Sequence, residues 1–237
     1  MTTDHPDFDS GHDLDDENGY TPDPERDTAA LLDAFFEHLA NTVHTRSLPA
    51  ELTAEMRVLH QELEAANEHR IGDEPSRYNL RLTLALVAAY RLLLPHLHRE
   101  DALALIETAF VEPLGETLRT ATAAMLDHAP DPFAAMVALS KSREVQYFGE
   151  TFTFVRSADD DRRYLLDVHR CFYHEVLVAN SAPELTPAMC AFDGNWIRAI
   201  DPERHGLRFE RPTTIGYGGA TCPFHFHRTE SAEPAED

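Results

Sequence analysis

In the first half of the chain the apolar residues recur at helical spacing. In TAALLDAFFEHLANTV, Leu31, Leu32, Phe35, Phe36, Leu39 and Val43 share one face, and Asp27 or Thr28 can cap the start. ELTAEMRVLHQELEAANEHR follows Pro49, with Leu52, Met56, Leu59 and Leu63 on one stripe. SRYNLRLTLALVAAYRLLL is the most apolar stretch, so it is the expected central helix, ended by Pro95. A fourth helix is expected from about Glu100, with Pro113 and Gly115 kinking or splitting it. Pro132 opens a fifth, PFAAMVALSKSREVQYFG.

After residue 149 the period changes. ETFTFVRS (150–157) alternates and is rich in β-branched and aromatic residues, DDD (159–161) is a turn, and RRYLLDVHR (162–170) is a second strand. CFYHEVLVANS (171–181) reads as a short helix. SAPELTPAMCAFDGNWIRAI reads as another, with Ser181 as N-cap, Pro183 near N1 and Glu184 at N3 in a capping-box arrangement. GLRFERPTTIG (206–216) and TCPFHFHR (221–228) read as two more strands joined through GYGG. Helices followed by a strand-helix-strand portion predict an α+β fold, a helical bundle packed against a small antiparallel sheet with two short inserted helices.

Charge refines the boundaries. The 237 residues carry a formal net charge of -22, with 42 acidic and 20 basic side chains. Residues 1–26 hold nine acids and one Arg and residues 229–237 hold four acids, which leaves -10 for residues 27–228. The two ends are therefore expected to be disordered acidic tails flanking one domain, helical over 27–148 and sheet-bearing over 149–228. With no clustered Lys or Arg, neither nucleic acid nor an anionic membrane surface is an expected partner. The acidic N-terminus has no apolar signal region, and no run approaches the roughly 18 apolar residues of a membrane span. A cytoplasmic protein with reduced cysteines is the expectation. The sequence leaves self-association into a homo-oligomer open.

The candidate chemistry sits in the last third, which holds all three cysteines, Cys171, Cys190 and Cys222. There is no Cys-x-x-Cys, so nothing supports a zinc ribbon or a thioredoxin-type site. Free cysteines are commonly buried and inert. Here, however, Cys171 falls where a strand hands over to a helix, a place where the macrodipole and free N–H groups favour thiolate. Cys190 and Asp193, at i and i+3 of an expected helix, share a face. On the last strand Cys222, Phe224 and Phe226 share the face expected to be buried, with His225 and His227 on the other. His169 and His174 flank Cys171, and either could act as its base. Three thiols and a carboxylate could instead hold zinc as a closed tetrahedral shell, although nothing in the sequence requires a cofactor. GYGG between two strands fits a turn better than a phosphate cradle.

Taken together, VHRCFYHEVL, APELTPAMCAFD and ERPTTIGYGGATCPFHF form a pattern: strand into cysteine, Pro-Glu-Leu, Cys-x-x-Asp, Arg-x-Thr, and a glycine turn into Cys-x-Phe. This resembles the L-2-amino-thiazoline-4-carboxylic acid hydrolase family over roughly residues 144–228, and only in helix order before that. The resemblance implies hydrolytic opening of a 2-aminothiazoline ring to N-carbamoyl-L-cysteine, on a route to L-cysteine. The positions carried over are Cys171, Glu184, Cys190, Asp193, Arg211, Thr213, Gly219 and Cys222. The sequence departs from the pattern at Pro223, at His225 and in its long acidic N-terminal tail.

On this reading Cys171, Cys190, Asp193 and Cys222 are the catalytic candidates. Cys171 or Cys222 would be the nucleophile, and Asp193 the base or the anchor of a cationic amidine. Arg211, Thr213 and Glu184 are the substrate-binding candidates, with Arg211 suited to a carboxylate. The substrate would be a small molecule. The competing readings are a sensor module that binds a metal or a small molecule, and a tailoring enzyme acting on another C–S or C–N substrate.

Overall fold

The computed structural model describes residues 22–229, so the expected tails lie almost wholly outside the described residues. The helical half consists of α1 (Pro24–Thr45), α2 (Leu52–Asn67), α3 (Glu74–Leu93), α4 (Arg99–Val111), α5 (Gly115–His128) and α6 (Pro132–Arg143). α1 begins earlier than expected because Asp23, not Asp27, is its cap. The Asp23 carboxylate accepts from the Arg26 N–H at 3.0 Å, and Pro24 follows it. α3 is held at its start by a reciprocal capping box between Asp73 and Ser76. Thirteen of its residues are buried, on every side, as expected of the central helix. Pro113 and Gly115 do split the fourth expected helix, into α4 and α5.

After α6 one π turn (Glu144–Phe148) and one 3-10 turn (Gly149–Thr151) lead into the sheet. β1 (Thr153–Asp159) and β2 (Arg163–Arg170) form the expected hairpin. β3 (Leu207–Glu210) and β4 (Cys222–Arg228) pair antiparallel, and β4 also pairs with β2, giving the order β1-β2-β4-β3. The β2–β4 register sets Val168 opposite Cys222, Leu166 opposite Phe224 and Tyr164 opposite Phe226. That face packs inward. One core contains the bundle, α7 (Phe172–Ala179) and Cys222. A second gathers Leu126, Phe133, Met136, Tyr164, Leu166, Trp196, Leu207 and Phe226 between α5, α6 and the sheet. The fold is α+β.

The stretch 181–200 corrects the reading of one capped helix. Ser181 has φ 58°, in the left-handed region, so it closes α7 instead of capping a new helix, for which an extended backbone is needed. A 3-10 turn (Pro183–Leu185), α8 (Thr186–Ala191) and α9 (Gly194–Ile197) follow as separate pieces. Glu184 closes no capping box. A further short helix, α10 (Pro202–His205), starts on the Asp201 cap and stops at Gly206, φ 62°. Strand β3 is shorter than expected, so residues 211–221 form a long connection instead of a tight hairpin. That connection builds much of the site.

Candidate active site

The three cysteines come from three separate elements. Cys171 is the N-cap of α7, Cys190 lies on α8, and Cys222 opens β4. Cys190 and Cys222 lie within electrostatic reach of Cys171, and Cys190 and Asp193 within reach of Cys222. Cys222 is buried and inward-facing, as the strand alternation predicted. Cys171 and Cys190 are half-buried.

The connection 211–221 is folded onto these sulfurs. The Thr214 hydroxyl donates to Cys190 Sγ at 3.2 Å, and the Ile215 N–H donates to Cys222 Sγ at 3.1 Å. Gly216 lies directly against α8. A Cβ there would sit 3.0 Å from Cys190 Sγ and 3.1 Å from the Pro187 nitrogen and the Thr186 carbonyl carbon. A side chain here would require the thiol or the α8 backbone to give way by a few tenths of an ångström, so a glycine suits this approach. Gly218, φ 84°, then turns the chain toward β4.

Arg211 is the electrostatic centre. One terminal N–H group donates to Asp193 Oδ2 at 2.6 Å, the other donates to the Cys190 carbonyl at 3.0 Å, and the guanidinium lies 5.3 Å over the Phe224 ring. Asp193 Oδ1 accepts from the Trp196 indole N–H at 3.1 Å. Both carboxylate oxygens are thus engaged, and a base role for Asp193 would require it to give up a partner. Cys190 and Asp193 do stand together, but at the joint between α8 and α9 and not on one continuous helix.

Burial dominates the thiols. It pushes Cys171 up to about 12 and Cys222 up to about 11, and it raises Cys190 as well. The N–H groups of Tyr173 and His174 face Cys171 Sγ without closing a capping hydrogen bond, and they offset its burial only in part. The thiolate expected at this helix start is therefore not the resting form, because desolvation outweighs the helix terminus. Tyr173, whose hydroxyl donates to Asn79 Oδ1 at 2.9 Å, is raised for the same reason and also by Cys171 and Asp193 nearby.

Two expected binding residues are placed differently. The Glu184 carboxylate accepts from the Tyr90 hydroxyl at 2.7 Å and pairs with Arg99 at 2.8 Å, which ties the turn before α8 to α3 and α4. Thr213 packs against Gly219 within the connection, and it is the adjacent Thr214 that touches a sulfur. His225 and His227 lie on the outer sheet face, each with Nε2 3.4 Å from a carboxylate oxygen, of Asp167 and Glu210 respectively. No group of three His, Cys, Asp or Glu side chains among the described residues is arranged to hold a metal ion. The zinc shell of Cys171, Cys190, Asp193 and Cys222 does not fit this geometry. Sequence reasoning missed Thr214, Tyr173 and the Ile215 and Gly216 backbone. The one signal for them was adjacency to the glycine turn.

A helical layer on a four-stranded antiparallel sheet, with three thiols and an Arg–Asp pair at their junction, defines the class of protein. A family model described as L-2-amino-thiazoline-4-carboxylic acid hydrolase matches residues 78–226, from α3 to the last strand. The chain belongs to this family. Searches of curated proteins and of solved structures found no match. Among the described residues no helix is long and apolar enough to cross a membrane.

Proposed function

We propose that the chain hydrolyses a small cyclic isothiourea or amidine in the three-thiol pocket, with L-2-amino-thiazoline-4-carboxylate as the first substrate to test. The observation that carries this reading is that the consecutive residues Thr214 and Ile215 hold Cys190 and Cys222 beside the Arg211–Asp193 pair, with Cys171 within electrostatic reach of both thiols. Hydrolysis adds water across the amidine carbon, breaks its bond to the ring sulfur, and leaves that sulfur as a thiol on N-carbamoyl-L-cysteine. In the covalent form of the reaction, Cys171 or Cys222 attacks the amidine carbon, the ring sulfur leaves with a proton, and water then displaces the enzyme sulfur. Arg211 retains N–H donors beyond the two it uses, and these suit a substrate carboxylate. Asp193 beside it places negative charge where an amidinium can sit.

The test is incubation with L-2-amino-thiazoline-4-carboxylate, with N-carbamoyl-L-cysteine measured by mass spectrometry. The expected result is turnover that Cys171→Ser or Cys222→Ser abolishes. Full turnover in all three single Cys→Ala variants would overturn the thiol assignment, and no product from the unmodified protein would overturn the substrate.

A further inference from the structure

In this site a proton has to move, and the thiols and Asp193 are poorly placed to move it. The thiols rest protonated, and both oxygens of Asp193 are occupied. Of the two histidines that flank Cys171, His169 is exposed and His174 is held in a hydrogen-bond network. His174 is at N3 of α7, three residues after Cys171 at the N-cap, and an N3 side chain lies beside its N-cap residue.

The His174 ring is held by a two-step hydrogen-bond chain. Nδ1 is 2.9 Å from the Thr186 hydroxyl, and the Thr186 hydroxyl is 2.8 Å from the Pro183 carbonyl. A carbonyl can only accept, and a threonine hydroxyl has one proton to give. That proton goes to Pro183, so the bond to the ring must run from Nδ1–H to Thr186 Oγ1. In the neutral ring Nε2 is then the bare nitrogen, and among the described residues nothing hydrogen-bonds to it. Thr186 and Cys190 are i and i+4 on α8 and share a face, and Gly216 is seated against both. The imidazole is therefore carried by the helix that Cys171 caps and tied to the helix that carries Cys190.

We propose that His174 is the proton-transfer group of this pocket, held by Thr186 and the Pro183 carbonyl as the Nδ1–H tautomer with Nε2 free to act. This rests on the hydrolase reading above. Nε2 takes the proton of the attacking thiol or water as the bond to the amidine carbon forms. It then returns that proton to the ring sulfur as the C–S bond breaks, so the histidine ends as it began. Thr186 acts through His174 and is a positioning residue.

Two measurements test this. Nitrogen-15 NMR of histidine-labelled protein should find the His174 proton on Nδ1, and Thr186→Val should mix the tautomers while Thr186→Ser keeps the one. Turnover should fall about 10²–10⁴-fold in His174→Asn, which can still donate to Thr186 but has no basic nitrogen. Added imidazole should restore part of the activity of His174→Ala, a rescue that a purely structural residue would not show. A proton found on Nε2, or undiminished turnover in His174→Asn, would overturn the proposal. The tautomer measurement needs no substrate, so an error in the substrate assignment and an error here show up separately.

Discussion

Helix α3 and the wall formed by α8 and α9 are both buried, for different reasons. α3 buries thirteen of its twenty residues, and its neighbours cover it from all sides. Its order comes from the sum of many small apolar contacts, none of which is special. α8 and α9 have six and four residues, too short to be stable alone. They are held by a few directed contacts: Arg211 to Asp193 and to the Cys190 carbonyl, Thr214 to Cys190, and Trp196 to Asp193. One region is redundant and the other is not. A substitution in the first should cost stability, and a substitution in the second should cost function at a smaller cost in stability.

The sharpest test on the redundant side is Leu84→Ala, in the middle of α3, where the side chain is 0% exposed. Stability should drop by about 2–5 kcal/mol in denaturant unfolding. Turnover per folded molecule should stay unchanged, and a parallel loss would break the distinction. On the other side, Gly216→Ala pushes a methyl group against Cys190 Sγ and the backbone of Thr186 and Pro187. We expect about 1–3 kcal/mol of destabilisation together with a loss of turnover on the order of 10²-fold, as the connection shifts relative to α8. A variant with unaltered kinetics would show that the close approach matters only for packing.

Asp193→Asn is milder. It removes the charge facing Arg211, whose side chain is only 13% exposed, but leaves an acceptor for Trp196. Unfolding should show a loss of about 1–2 kcal/mol, and substrate affinity should fall more than stability does.

A change of pH tests the same wall through its thiols. An unfolded thiol ionises near 8.5, whereas folded Cys171 and Cys222 stay protonated up to about 12 and about 11. The unfolded state therefore releases these protons first as pH rises. The stability linked to the two thiols is fully present below about pH 8.5 and is lost as pH climbs through the folded values. Melting temperature followed from pH 8 to pH 11 should fall, and less steeply in the Cys171→Ala, Cys222→Ala double variant. Equal slopes would mean that burial does not hold these thiols protonated.

These differences match what could be read beforehand. The stripe Leu31, Leu32, Phe35, Phe36, Leu39 and Val43 announced α1, and all six are buried, because helical periodicity is a local property. Its start was misread by a few residues, since Asp23 and Asp27 are equally good caps by type. Alternation announced that Cys222 faces inward. The stretch around Cys190 was read as one helix, because the left-handed turn at Ser181 and the break at Asp193 answer to the packing of α7 and to Arg211, and neither is visible locally.

The sequence by itself determined the helical half, the alternation of the strands, the α+β order and the residues of the family pattern, since each depends on neighbours within one or two turns of chain. Only the tertiary structure decided which groups meet. Glu184 went to Tyr90 and Arg99, Thr214 took the sulfur contact in place of Thr213, and Asp193 was claimed by Arg211 and Trp196. It also decided the ionisation of the cysteines. A helix start favours thiolate, but desolvation by the whole surrounding protein is the larger effect, and it exists only once the chain has folded around them.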